Sequence, residues 1–156
     1  MDSNSLAAYG ETLEEVTARV LEQWAMMMVD PAEDVTPIFD STLDFYWSEA
    51  TFTGVFDGTL IVVSQSPFLD MLLETVLGDD ETGIDSQRMD ALKELANVIS
   101  GNFLTEAFGQ ETVFDLPLFS TSKVNSNTAQ QQLGINTKYL FGDDEPVAVS
   151  FKIDAV

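Results

Sequence analysis

A carboxylate and a carboxamide, Glu94 and Asn97, stand three residues apart in the segment ELANVISGN of residues 94–102. At about 100° per residue of an α-helix they are neighbours on one face, together with Asp90 and Gly101. A carboxylate accepts hydrogen bonds and pairs with cations, whereas a carboxamide donates and accepts at once. Asn and Gly weaken a helix by about 0.5–1 kcal/mol relative to Ala. Because solubility alone does not require them, we interpret this polar row, Asp90, Glu94, Asn97 and Gly101, as a docking surface.

The opposite side of the same helix is apolar, which predicts how the polar row is held. The helix is expected from Asp85 or Ser86 to just before Gly109, about 23 residues or roughly 34 Å. Its buried face should consist of Leu92, Leu95, Ala96, Ile99 and Phe103.

The absence of two residue types excludes several chemistries. The 156 residues include neither Cys nor His. Thiol nucleophiles, disulfides, imidazole metal ligands and Ser-His-Asp systems are therefore excluded, and Ser100 has no base to activate it. No metal site is expected.

The charge balance limits the partners. A formal charge of −21, from 27 acidic and 6 basic side chains, disfavours nucleic acid and anionic membranes, which both reward Lys and Arg. The acidic residues are scattered, as on a solvated surface. The N-terminal residues do not resemble a signal peptide, and no apolar run is long enough to span a bilayer, so we expect a cytoplasmic protein.

The remaining pattern alternates helices and strands. A capping-box spacing at Thr12 predicts a first helix over about 12–28, and Asp57-Gly58 predicts a hairpin with a type I′ turn. Ser66 as N-cap and Pro67 as first helical residue predict a short helix that continues over Phe68 to Leu77 and ends at Gly78. Further strands are expected at about 112–121, 134–141 and 146–153, with Gly142-Asp143-Asp144 joining the last two.

These elements predict an α+β fold in which two long helices pack on one mixed or antiparallel sheet, with a further short helix. Residues 1–156 fit a single domain. We expect Met26-Met27-Met28 to be packing filler at a helix end, and the polar stretch 122–132 to be a mobile surface excursion. The acidic segments 79–81 and 143–145 are interpreted as solvated turns rather than cation sites.

The segment Asp90-x3-Glu94-x2-Asn97, continuing as Ile99-Ser100-Gly101-Asn102, resembles the signature of the CheC/CheX-type chemotaxis phosphatases. The order of elements is also similar to that family, which implies the CheC-like fold. Two-site members carry a second Glu-x2-Asn on the first helix. Here that helix offers only Glu14-x2-Thr17, Glu15-x2-Ala18 and Glu22-x2-Ala25, so one site per chain is implied, as in the CheX branch. Pro117 is the candidate for a proline that the family carries downstream.

The resemblance implies a phosphatase of two-component signalling that hydrolyses the aspartyl phosphate of a phosphorylated CheY-type response regulator. Glu94 and Asn97 would be its catalytic pair, with Asn97 positioning the attacking water and Glu94 docking to a Lys of the regulator. Asp90 and Gly101 would contact the partner. The protein would need no cofactor of its own, because the regulator supplies Mg²⁺.

Two other functions stay open at this stage. The same surface could bind a receiver domain without accelerating hydrolysis, or the acidic turns could bind a cation or ligand. The resemblance also implies a homodimer joined through sheet edges. The apolar alternation of Val147, Val149, Phe151 and Ile153 predicts such an edge.

Overall fold

The computed structural model describes residues 3–32, 39–78, 83–125, 127–129, 133 and 136–154. The helices are α1 (Ser3–Gln23), α2 (Ser66–Leu72), which continues into a π turn (Leu73–Leu77), and α3 (Asp85–Phe108). The strands are β1 (Val29–Pro31), β2 (Phe45–Thr53), β3 (Gly58–Gln65), β4 (Asp115–Val124), β5 (Thr137–Gly142) and β6 (Glu145–Ile153). None of the described helices combines the length and the apolar composition that crossing a bilayer requires.

The strands form one antiparallel sheet in the order β1-β5-β6-β3-β2-β4. One face of this sheet carries the main core, to which α1, α2 and α3 all contribute. The α+β prediction with two long helices on one sheet is therefore confirmed. The largest buried side chains of the main core include Tyr46, Phe52, Phe68, Phe103 and Phe151.

The opposite face of the sheet carries a second, smaller core, which the sequence did not reveal. Phe45 and Trp47 of β2 pack there with Val63, Ala148 and Ala129. Residues 127–129 form a helical turn, and Ala129 is fully buried. The interpretation of 122–132 as a mobile surface excursion was therefore wrong for its described part, since β4 extends to residue 124 and Ala129 covers the sheet.

The first helix is longer at its start than predicted. It begins at Ser3, because Leu6 and Tyr9 also pack against the core, and it ends at Gln23, five residues before the predicted end at about 28. Thr12 lies inside the helix, where its hydroxyl donates to the Ala8 carbonyl oxygen at 3.0 Å. A Thr that bonds four residues back does not cap a helix, so the capping-box interpretation was wrong.

The β2–β3 hairpin is confirmed, but its predicted turn is not. A type I′ turn needs positive φ at both of its central residues. Asp57 and Gly58 do not have positive φ, whereas Asp143 (47°) and Asp144 (68°), which join β5 to β6, do. Gly58 has another reason to be glycine. An added Cβ would lie 2.3 Å from the Lys152 carbonyl oxygen and 2.5 Å from the Phe52 ring.

The short helix begins one residue earlier than predicted, at Ser66, with Gln65 rather than Ser66 as its N-cap. After Leu72 it loosens into the π turn before it ends at Gly78, whose left-handed φ of 58° confirms the predicted terminator. α3 agrees with prediction at both ends.

β6 is a central strand, so the prediction that it offers an edge was wrong. It pairs with β5 on one side and β3 on the other, and residues 146–151 are all buried. Alternation of side chains reports the faces of a strand and not its neighbours. The edges of the described sheet are β1, with three residues, and β4, with ten.

Candidate functional site

The polar row lies on the exposed face of α3, as the helical periodicity predicted. Asp90, Glu94, Asn97 and Gly101 are all exposed. The buried face predicted for this helix is also confirmed, with Leu92, Leu95, Ala96, Ile99 and Phe103 at 0% exposure. The row spans twelve residues, from Asp90 to Gly101, or about 16 Å along the helix axis.

The described part of the chain offers the side chains of the polar row no hydrogen-bond or ion-pair partner. Among the described residues, Asp90, Glu94 and Asn97 make no side-chain hydrogen bond or ion pair. Asn102, one turn further on, instead donates its side-chain amide to the Val98 carbonyl oxygen at 2.8 Å. The hydrogen-bonding groups of Glu94 and Asn97 are therefore available to another molecule.

Gly101 is not required by the packing of this chain. A Cβ added there would meet no other atom within 4 Å. The backbone at Gly101 is helical, so no positive φ explains the residue either. It leaves a notch on the exposed helix surface beside Asn97.

A charged network fixes the N-terminal end of α3. Arg88 donates Nε and Nη2 to the two carboxylate oxygens of Asp70 on α2, both at 2.9 Å. Its Nη1 reaches the hydroxyl oxygen of Tyr46 and Oδ1 of Asp85, both at 3.1 Å. Lys123 of β4 adds a contact of 2.9 Å to Asp85. The network joins α3 to α2, β2 and β4, so the helix that carries the polar row is held by three other elements.

The same network shifts the ionisation of its members. The Arg88 guanidinium, through its hydrogen bonds, lowers the pKa of Asp70. Hydrogen bonds from Tyr46 and then Lys123 lower the pKa of Asp85 to about 2. Burial, together with the Asp85 carboxylate, raises the pKa of the Tyr46 hydroxyl. The carboxylates therefore stay ionised, and the phenol stays neutral, through the physiological range.

An apolar cavity of about 420 Å³ opens next to the polar row. Asp90, Ala91 and Glu94 form one side, and Trp24, Leu72 and Val76 form the others. The sequence did not predict it, because its walls come from α2, the π turn, α3 and the segment after α1. These segments are separate in the chain and meet only in the folded protein.

The other residues considered from the sequence are placed as follows. Thr17 and Ala25 are fully buried, so neither forms a surface pair with Glu14 or Glu22. Ser100 is fully buried with its hydroxyl unpaired, which keeps it from any substrate. Pro117 lies in β4 and not on α3.

Of the two acidic turns, only that at residues 143–145 belongs to the described part of the chain. Residues 79–82 lie outside the described part of the chain. Asp143 instead accepts the Met28 backbone N–H at 2.8 Å, which ties the β5–β6 turn to β1. Among the described residues, no group of three or more acidic side chains is arranged to hold a metal ion.

A family model described as "Chemotaxis phosphatase CheX" matches residues 48–137, which is more than half of the chain. The chain belongs to the CheX family. The CheX match contains all of β3, α2, the π turn, α3 and β4, and hence the whole polar row. No curated protein sequence matches the chain at a significant level.

Solved structures agree with membership of the CheX family. The chemotaxis protein CheX from Vibrio vulnificus matches with a TM-score of 0.73 at 14% identity, over 97% of this chain and 100% of that chain. CheX from Desulfovibrio desulfuricans matches with a TM-score of 0.69 at 16% identity, over 94% and 99%. A chain of the CheX–CheY–BeF3–Mg²⁺ complex from Borrelia burgdorferi matches with a TM-score of 0.64 at 16% identity, over 94% and 98%. At these identities the likeness establishes the CheC-like fold.

Proposed function

We propose that this CheX family protein dephosphorylates a phosphorylated CheY-type response regulator in chemotaxis signalling. The observation that carries the proposal is the pairing of an exposed carboxamide with an exposed carboxylate on a firmly packed helix. Neither side chain has a partner among the described residues. The family model that covers this helix is that of a chemotaxis phosphatase. A structural relative was solved in complex with CheY, BeF3 and Mg²⁺, which supports a receiver domain as the partner.

Asn97 would position the attacking water. Its carbonyl oxygen can accept a hydrogen bond from the water while its amide donates to a phosphoryl oxygen. The water oxygen then bonds to phosphorus, and the bond from phosphorus to the aspartyl oxygen breaks. The electron pair leaves with the aspartyl carboxylate, and the proton of the water passes to the released phosphate. Phosphoryl transfer needs mainly this positioning, so one carboxamide suffices.

Glu94 would set the register of docking. An ion pair between its carboxylate and a Lys of the receiver domain would align α3 so that Asn97 reaches the phosphorylation site. Asp90 would add a second polar contact one turn away, and the notch at Gly101 would admit receiver backbone. The Mg²⁺ of the reaction would come with the regulator.

We further propose that the protein is a homodimer joined through β4. This strand is a ten-residue edge of the described sheet, whereas the β1 edge has only three residues and includes Pro31. Ser120 and Ser122 are exposed on β4. Lys substitutions at both would place like charges together across a two-fold edge contact. They should convert a dimer to a monomer in light scattering after size exclusion, and an unchanged mass would contradict the β4 contact.

The test of the phosphatase is the decay rate of a phosphorylated receiver domain with Mg²⁺, alone and with catalytic amounts of this protein. Glu94→Ala and Asn97→Ala should each reduce the acceleration about 10²- to 10³-fold. Asn102→Ala is the matched control on α3, because that carboxamide is engaged within its own helix. Glu111→Ala matches the Glu94 change, because Glu111 is an exposed carboxylate beyond the end of α3. Both controls should keep the wild-type rate.

The same assay decides against the alternative, a binding module that does not accelerate hydrolysis. If wild type binds a receiver domain carrying BeF3 and Mg²⁺ but leaves phosphate decay unchanged, the module is favoured and the phosphatase proposal fails. If all four variants lose activity equally, the effect is on folding and not on the site.

A further inference from the structure

The cavity beside Glu94 is open, and apolar side chains form most of its lining. Trp24 is only half-buried, and Leu72 and Val76 form the wall opposite α3. A cavity of about 150 Å³ accepts benzene in a small protein, so about 420 Å³ admits an aromatic or aliphatic side chain with room around it. Its size and apolar lining fit a side chain from another molecule.

The wall itself departs from regular structure. Val76 belongs to the π turn Leu73–Leu77, and π turns interrupt α-helices frequently at functional sites. On the other wall, the chain passes from Trp24 to Met26, which has a left-handed φ of 55° and an exposure of 79%. Met28 is exposed at 78%, and only Met27 is buried. The prediction that this triplet is packing filler was therefore wrong for two of its three members.

The charge at the rim restricts the occupant. Asp90 and Glu94 border the cavity and belong to the polar row, so a protein that docks on Asn97 also covers the cavity. Their carboxylates favour an apolar side chain with a basic neighbour and disfavour an acidic one. The cavity is thus continuous with the proposed docking surface and complementary in charge to a positively charged rim on its partner.

We propose that this cavity receives an apolar side chain, flanked by a Lys or Arg, from the receiver domain whose phosphate faces Asn97. The inference rests on the proposed function, and it adds a second point of contact between this protein and the receiver domain. The cavity anchor supplies affinity and orientation, while Asn97 supplies the chemistry. Filling the cavity also removes water from the side of the site next to Glu94.

The first test uses the two tryptophans of the wild-type chain. Trp24 lines the cavity, whereas Trp47 is 5% exposed on the opposite face of the sheet. With 5-fluorotryptophan in this protein alone, titration with a receiver domain carrying BeF3 and Mg²⁺ should shift the ¹⁹F resonance of Trp24 and leave that of Trp47. An unmoved Trp24 resonance at saturation overturns the proposal. So does a Trp24 shift that depends only on the concentration of this protein, which assigns the cavity to a second copy.

The second test separates the anchor from the chemistry. Val76→Gln should weaken receiver binding about tenfold, as loss of an interface anchor does, with turnover at saturating receiver unchanged. Val113→Gln is the matched control, because Val113 is 76% exposed beyond the far end of α3. Equal affinities for the two variants overturn the proposal. If Asn97→Ala loses turnover but keeps the Trp24 shift, both proposals are supported. If the wild type shows the Trp24 shift but no turnover, the cavity proposal is supported and the phosphatase proposal fails.

Discussion

Asp70 and Arg88 join α2 to α3 through two parallel hydrogen bonds of 2.9 Å, from Nε and Nη2 of the guanidinium to the two carboxylate oxygens. Arg88 lies two residues before Asp90 on α3, and Asp70 lies two residues before Leu72 on α2. The pair is therefore close in the chain to one cavity-lining residue on each helix. The guanidinium also lies 5.9 Å from the centre of the Tyr46 ring. The Arg88 side chain thereby sets the spacing between α3, which carries the polar row, and α2.

Removing this pair should destabilise the protein. Arg88→Met should lower the free energy of unfolding by about 2–3 kcal/mol, since hydrogen bonds to charged groups contribute about 1.5–3 kcal/mol and Asp70 would lose its partner. Urea denaturation measures the change. Arg19→Met is the control, because Arg19 pairs with Glu106 in an exposed position and should cost less than about 1 kcal/mol. Equal losses would contradict a special role for the Asp70–Arg88 pair.

The stabilisation by this network should disappear in acid. The pKa of Asp70 is lowered by Arg88, and that of Asp85 is lowered to about 2 by Tyr46 and Lys123. A carboxyl group whose pKa is lower in the folded state stabilises the fold above its unfolded pKa, about 4, and loses that contribution as pH falls through the folded value. The stability difference between wild type and Arg88→Met should therefore be constant above about pH 5 and shrink toward about pH 2. A constant difference over that range would contradict the linkage.

Stability and activity should respond in opposite directions at Gly101. Gly101→Ala should stabilise the helix by about 1 kcal/mol, because an added Cβ meets nothing in this chain. Turnover of the phosphorylated receiver should fall about tenfold or more, since the methyl group fills the notch and displaces the partner from Asn97. Thermal denaturation and the phosphate-decay assay measure the two effects. Equal activity in the more stable variant would show that the notch is not used.

Salt should assist the reaction at low concentration. The chain has a formal charge of −21, and the phosphoryl group of the proposed partner is also negatively charged, so the two repel each other at long range. Raising ionic strength from about 10 mM to about 100 mM shortens the Debye length from about 30 Å to about 10 Å. Turnover at subsaturating receiver should rise over this interval. A steep fall would contradict docking governed by this balance of charges.

The rate should be nearly independent of pH around neutrality. The chain contains no His, and the proposed role of Asn97 involves no ionisation. Turnover measured with saturating receiver from about pH 6.5 to about pH 8 should therefore be flat. A bell-shaped profile centred in this range would indicate a proton-transfer group that the proposed mechanism lacks.

The sequence by itself determined the α3 helix and its two faces, because helical periodicity depends only on the spacing of residues along one segment. Glu94 and Asn97 were found in this way, and the exposed position of both is seen in the folded protein. The helix terminator Gly78 and the β2–β3 hairpin were also predictable, because they depend on local backbone preferences.

Only the tertiary structure decided which segments became neighbours. β6 was predicted to lie at an edge of the sheet, yet β3 and β5 flank it, and the second core on the far side of the sheet buries its other face. The N-terminal turns of α1 depend on contacts of Leu6 and Tyr9 with the core, which no local signal predicts. The cavity needs Trp24, Val76 and Glu94 together. Its walls are distant in the chain, so burial of the core, and not the pattern of any one segment, brings them into contact.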